Sequence, residues 1–332
     1  MGYNQNSGYG MALLNAVHSA VPTFGNVFVV MDPDDTDEEN YQRLQDVMRV
    51  DPRGKVRFFT SLSSAYDATE SNNNDVIVLD GNSTHELSSM LTVSKNRVHF
   101  VGLDWLLGIR RRYGQSSKVN LGVTTAATDI ATLKVTGVRC SFRGIKFTNA
   151  NTVTEGIYCV ADGGEYTYFE NCEMYKSTDL DQTGAAELVA NGDSSHYKDC
   201  YIGSTVDAIS GAIIRPCVLM TASIVGTARD NTFEGCIFAR KCGNTANRFV
   251  YGAGDIAERM MLFKGCTFWA AALSTAVPAQ NVAFSVSQTV GSILLDNCVS
   301  INAGTAMSTT TGVFVNGPVP AADTVGIALQ AS

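Results

Sequence analysis

Charge is scarce in this chain. Of 332 residues only 17% are Asp, Glu, Lys or Arg, while 45% are apolar. Much of the surface must then be Ser, Thr, Asn and Gly, a palette that favours strands and tight turns over helices. Positive charge is scarcer still. The net charge is -8, and the only basic cluster is Arg110-Arg111-Arg112. No global basic field is available to attract nucleic acid, and the cluster reads as a solvated loop or as an ion-pair partner at a subunit contact. No apolar run reaches membrane-spanning length. The opening, MGYNQNSGYGMALLNAVHSAVPTFG, has no basic n-region, since the first Lys or Arg is Arg43, so a secretory signal is not expected. Asn6 breaks the myristoylation pattern that Gly2 begins. Histidine is limited to His18, His85, His99 and His196, and the nine cysteines include no CxxC pair. Zinc and other cofactors are therefore not expected. An odd number of cysteines at fairly even intervals suits buried thiols better than a disulfide framework.

Three zones divide the chain. Residues 1–60 are read as an extended arm, the apolar run Val27 to Met31, and a helix in DTDEENYQRLQDVMRVD. Asp35 or Thr36 could cap that helix, and Tyr41, Leu44, Val47 and Met48 share one face. The acids from Asp32 to Glu39 lack the glycine and ligand spacing of a calcium loop, so they are read as helix-capping residues. Residues 61–302 begin with a short helix, Leu62 to Thr69, and continue as strands of four to six residues between Asn/Gly/Asp turns. Residues 303–332 are read as an extended C-terminal arm needing a neighbour to bury Val313, Phe314, Val315 and Ile327.

One phrase recurs in the central zone: FENCEM, YKDCYI, FEGCIF, FKGCTF and LDNCVS, with FRGIKF as an earlier version. The fourth position holds Ile145, Cys172, Cys200, Cys236, Cys266 and Cys298, at intervals of 27, 28, 36, 30 and 32 residues. A fixed phrase at roughly thirty-residue spacing with filler of unequal length is the signature of a solenoid. Strict alternation would place the first and fourth residues on opposite faces. A left-handed bend at the Asn, Asp or Gly of the third position turns both inward. Each phrase is thus strand, bend, strand, and stacking coils superimposes like on like. Phe142, Phe169, Tyr197, Phe233, Phe263 and Leu295 form one internal ladder, Ile145 and the five cysteines a second, and Phe147, Met174, Ile202, Phe238 and Phe268 a third. The expected fold is all-β: a right-handed single-stranded parallel β-helix of about eight coils, with a short helix covering its N-terminal end and extended terminal arms.

A resemblance supports this. GKVRFFTSLSSAYDATESNNNDVIVLDGNSTHE followed by VSKNRVHFVG resembles the entry of the pectate-lyase-like parallel β-helix superfamily. Ala65, Asp75, Val76, Ile77, Leu79, Gly81 and Glu86 match, while His85 stands where an aromatic residue is usual. The resemblance runs to about Cys298. It implies fold rather than function, because this fold serves lyases, hydrolases, phage tailspikes and non-enzymatic virion proteins.

Enzymes of this type would cut polysaccharide, but the polygalacturonase and pectate-lyase phrases do not occur. The candidate acids are Asp179, Asp181, Glu187, Asp193, Asp207, Asp230, Asp255 and Glu258, with Asp179 and Asp181 the most suggestive pair. A cysteine nucleophile would need a nearby histidine, and His196 lies four residues before Cys200, but Cys200 belongs to the buried ladder and a core or rim role suits it better. Trp105 and Trp269 could stack on sugars or anchor a subunit contact. The expectation is a non-enzymatic phage virion protein, a capsid decoration or cement protein. It would be homotrimeric, bound to the major capsid protein or other virion proteins, and assembled in the host cytoplasm, with no nucleic-acid or membrane partner. The alternative is a tailspike-like receptor-binding protein that contacts, and can depolymerise, a host surface glycan.

Overall fold

The computed structural model describes residues 25–31 and 57–316, apart from 82–83, 107, 109–114, 116, 123–127, 152–156, 177–183, 210–214, 222–227, 243–247, 256–257, 273–281, 289–290 and 302–312. The helix expected over residues 35–51, the acidic run 32–39 and Arg110 to Arg112 fall outside that range.

Short β-rich segments with a turn signal every few residues cannot bury both faces alone, and here they do so by winding. Among the described residues eight coils follow one another, beginning at Asp75, Val98, Ser141, Tyr168, His196, Thr232, Met260 and Ser292. Each strand pairs in parallel with the equivalent strand one coil away, giving three sheets of 11, 8 and 7 strands. The chain is a right-handed single-stranded parallel β-helix. In coil 3, for example, Ser141–Arg143 lies in the first sheet, Lys146–Asn149 in the second and Tyr158–Asp162 in the third.

The bend between the first and second sheets is where the repeated phrase sits. Its third residue has positive φ in all six copies: Gly144 (63°), Asn171 (51°), Asp199 (51°), Gly235 (63°), Gly265 (59°) and Asn297 (50°). These residue types reach the left-handed region at least cost. The backbone stays paired through the bend, since the Asn171 and Asp199 amides donate to the carbonyls of Lys198 and Glu234 in the next coil.

Inside, Phe142, Phe169, Tyr197, Phe233 and Phe263 stack with ring centroids 4.7, 5.3, 4.5 and 4.6 Å apart. Phe100 extends the stack at one end, 4.9 Å from Phe142, and Leu295 pairs with Phe263 at the other. Ile145, Cys172, Cys200, Cys236, Cys266 and Cys298 are all buried. The thiols also act as donors. Cys172, Cys236, Cys266 and Cys298 reach the carbonyls of Phe142, Tyr197, Phe233 and Phe263 one coil back, at 3.2–3.4 Å. Cys200 lies 3.4 Å from the carbonyl of Lys198. Cysteine is small enough for the corner and supplies a weak S–H donor there.

Helix α1 (Leu62–Asp67) puts Leu62, Ala65 and Tyr66 into the core at the N-terminal end. Lys95 Nζ caps it, 2.8–2.9 Å from the carbonyls of Tyr66, Asp67 and Thr69. A second helix that the sequence did not suggest, α2 (Leu103–Leu106), lies against the outside of the first sheet, with Trp105 buried among Val76, Val78 and Val101. Sheet pairing extends beyond residues 61–302 at both ends. Val27–Val30 pairs with Asp75–Leu79, and Val313–Asn316 pairs with Ser292–Asp296, leaving Phe314 57% exposed.

Candidate functional site: the outer face of the first sheet

Because successive strand residues point to opposite faces, each first-sheet phrase sends its flanking residues outward. Two outward ladders result. One runs His99, Ser141, Tyr168, His196, Thr232; the other runs Arg143, Glu170, Lys198, Glu234, Lys264, Asp296. The second alternates in sign rung by rung. Arg143 Nε lies 3.3 Å from Glu170 Oε2, and Lys264 Nζ 3.2 Å from Glu234 Oε1. The Lys264 hydrogen bond leads in holding the Glu234 carboxyl below its usual range.

Coil 4 gives this face its character. Tyr168 and Tyr166 lie two residues apart, and Tyr166, itself at positive φ (54°), is 54% exposed. The Arg139 guanidinium sits 5.7 Å from the Tyr166 ring centre. Arg143 sits 5.0 Å from that of Tyr168 and 5.7 Å from that of Trp105. His196 meets Tyr168 edge-on at 5.4 Å, and its Nε2 is 3.3 Å from Glu234 Oε2. One rung toward the N-terminus, Ser141 Oγ lies 2.8 Å from both His99 Nδ1 and Arg143 Nη1. Burial, then the Arg143 charge, lower the His99 pKa to about 4. Burial likewise lowers that of His196, against the pull of Glu234. Aromatic faces flanked by fixed donors and carboxylates form a surface suited to a polyhydroxylated ligand.

The acids expected from sequence lie elsewhere. Glu187 is inside the solenoid, where Arg240 grips it with two contacts of 2.9 and 2.6 Å and Arg215 adds one of 3.0 Å. Burial pushes its carboxyl up, but Arg240 and then Arg215 outweigh burial and hold it below its usual range. Lys176 lies nearby, its Nζ 3.0 Å from the carbonyl of Asn151, and burial followed by Arg215 lowers its pKa to about 8. Asp193, Asp230 and Glu258 pair with Arg229 and Arg259 at the corner leading into the first sheet. Asp179 and Asp181, and the side chains of Asp207 and Asp255, fall outside the described residues. His196 points outward while Cys200 points into the core, so the two form no dyad. Trp105 is buried, whereas Trp269 is 39% exposed on the outside of the second sheet. Among the described residues no group of three or more His, Cys, Asp or Glu could hold a metal ion, and no helix is long and apolar enough to cross a membrane. The sequence reading passed over Ser141, Arg143, Tyr166 and Tyr168. Their signal is weak, namely polar or aromatic residues two positions apart beside a ladder residue.

No protein-family profile matches this chain, and no curated protein does. Solved structures do. The pectin methylesterase of Aspergillus niger superposes with a TM-score of 0.52 at 12% identity, over 88% of this chain and 81% of that one. The pectin methylesterase PemA of Erwinia chrysanthemi gives 0.50 at 12%, over 90% and 82%. The pectate lyase Pel9A gives 0.52 at 12%, over 88% and 73%. The likeness is one of fold, and it corrects one expectation. Missing polygalacturonase and pectate-lyase phrases had implied a non-enzyme, yet esterases and a lyase share this architecture at 12% identity. The reason is geometric: the ladder constrains only the inward residues, so the fold by itself does not decide what the outward rungs carry.

Proposed function

We propose that this chain is a tailspike-like β-helical protein of a phage virion that contacts a host surface glycan through the outer face of its first sheet. The observation that carries this reading is the coil 4 pair, Tyr166 and Tyr168, set beside Arg139 and Arg143 with His196 across one rung. Sugar rings pack their C–H faces on aromatic rings while their hydroxyls need fixed donors and acceptors. Both are present within three coils. A further support is that a pectin methylesterase of similar fold is held in complex with a hexasaccharide. The virion setting rests on sequence: low charge and a Ser/Thr/Asn-rich composition on this fold. The capsid-decoration role has no such support. Beyond that same composition it drew on terminal arms, residues 1–24 and 303–332, of which only Val313–Asn316 is described, paired within the sheet.

The test is binding of purified full-length chain to polysaccharides extracted from the host envelope, by calorimetry. Wild type binds, and Tyr166→Ala with Tyr168→Ala weakens binding by at least tenfold while the melting temperature holds. Equal binding by wild type and the double variant refutes the site. Hundreds of copies per particle, rather than a dozen or two, would return the protein to the shell.

A further inference from the structure

We propose that Ser141 and His99, beside Tyr168 on the same outward ladder, form a nucleophile–base pair that removes O-acyl groups from the bound glycan. The choice of substrate rests on the glycan reading above. The pair itself rests on hydrogen-bond logic. Ser141 Oγ touches two groups at 2.8 Å, Arg143 Nη1 and His99 Nδ1. A guanidinium can only donate, so the Arg143 contact occupies a lone pair of Oγ. That leaves the hydroxyl hydrogen free for Nδ1, to which it donates in the neutral imidazole tautomer whose proton is on Nε2. A serine hydroxyl donating to an unprotonated imidazole nitrogen is the ground state that general-base activation requires. The nearby carboxylate of Asp75 does not divert His99, because it is taken up by the amides of Asn26 and Glu70 and the side chain of Asn73, each at 2.7 Å. Arg143 also places a cationic donor beside the atom that would attack, where the oxyanion of an ester carbonyl develops.

The step balances with water as the only co-reactant. His99 Nδ1 takes the hydroxyl proton as Oγ bonds to the acyl carbon. The bond from that carbon to the sugar oxygen breaks, and the proton passes from His99 to the departing sugar hydroxyl. Water then attacks the acyl-serine, giving up a proton to His99. The carboxylic acid leaves, and His99 returns the proton to Oγ. Ser141 is one rung from its register partner Tyr168, so an acyl group on a sugar packed over that ring lies about 5 Å from Oγ. Ser141 is only 4% exposed, so the side chains over it must shift for the ester to enter. A purely structural Ser–His contact would tie adjacent coils together and need no reactivity.

The experiment treats the full chain with a fluorophosphonate probe, maps the modified peptide by mass, and follows acetate release from an O-acetylated polysaccharide and from p-nitrophenyl acetate. The proposal expects a label on Ser141, acetate release abolished by Ser141→Ala, and a rate lowered roughly 100-fold or more by His99→Gln, with melting temperature monitored for each variant. An unlabelled Ser141 in folded wild type, or a Ser141→Ala variant as active as wild type, overturns it. The two readings separate cleanly. Glycan binding without a label removes only the esterase pair. A labelled Ser141 without glycan binding keeps the pair and removes the glycan.

Discussion

Gly144 and Gly265 occupy the same slot of the repeated phrase, and both have positive φ, yet they differ in what surrounds them. A Cβ on Gly144 would come within 2.2 Å of Trp105 Cβ, whereas a Cβ on Gly265 meets nothing within 4 Å. Gly265→Ala should therefore cost only the left-handed backbone term, about 1–2 kcal/mol. Gly265→Asn should be nearly neutral, since Asn171 and Asn297 already serve in that slot. Gly144→Ala adds displacement of a buried indole and should cost about 3 kcal/mol or more. Denaturant midpoints of the three variants check this order, and equal losses for Gly144→Ala and Gly265→Ala would contradict it. The need for a left-handed bend was legible in the third letter of each phrase. The contact with Trp105 was not, because nothing local to VGLDWLLG marks it as a helix lying on the outside of a sheet. The cysteine slot was legible as a small buried position, but its S–H donation to a carbonyl one coil back emerges only when coils are stacked.

Among the elements, the three sheets differ in what their inner faces hold. The first carries the aromatic stack. Where the second and third meet, coils 4–6 enclose Glu187 with Arg215 and Arg240. Burying charges is expensive, and such a group contributes little net stability, but removing one member is strongly unfavourable. Glu187→Gln withdraws the carboxylate that both guanidinium groups share and should destabilise the fold by about 3–5 kcal/mol. Calorimetric unfolding of the variant measures this, and a melting temperature within a degree or two of wild type would contradict it. In the sequence, Glu187 looked like one more acid in a loop-rich region. Periodicity alone could not show that AELVA is buried along its whole length, because the residue pairing it, Arg240, lies 53 positions away.

For the whole molecule, the histidines make acid the sensitive side. His99 has a pKa of about 4 in the folded chain against about 6.5 unfolded. Between those values the unfolded chain binds a proton that the folded chain does not, so stability falls as pH drops below about 6.5. The full effect at this site is on the order of 3 kcal/mol. His196, lowered in the same sense, adds to it, and Glu187 adds a further loss below the usual carboxylate range. Asp162, whose carboxyl is raised by burial, acts in the opposite sense. Urea midpoints should change little between pH 8 and 7 and fall steadily from about pH 6.5 to 4, with a shallower slope in His99→Gln. A flat profile down to pH 4 would refute the assignment.

The solenoid is written along the chain, because each coil repeats the same physical demands at short range: a bulky residue, a bend, a small residue and another bulky one. Those demands are local, so they can be read from one copy and confirmed in five more. Which residues face outward together is set by the register of the stacked coils. His99, Ser141, Tyr168 and His196 are separated by 27–42 residues from one rung to the next and become neighbours solely through register. Inward positions are constrained by packing and repeat, whereas outward positions are free to vary, so the chemistry they assemble leaves no periodic trace in the chain.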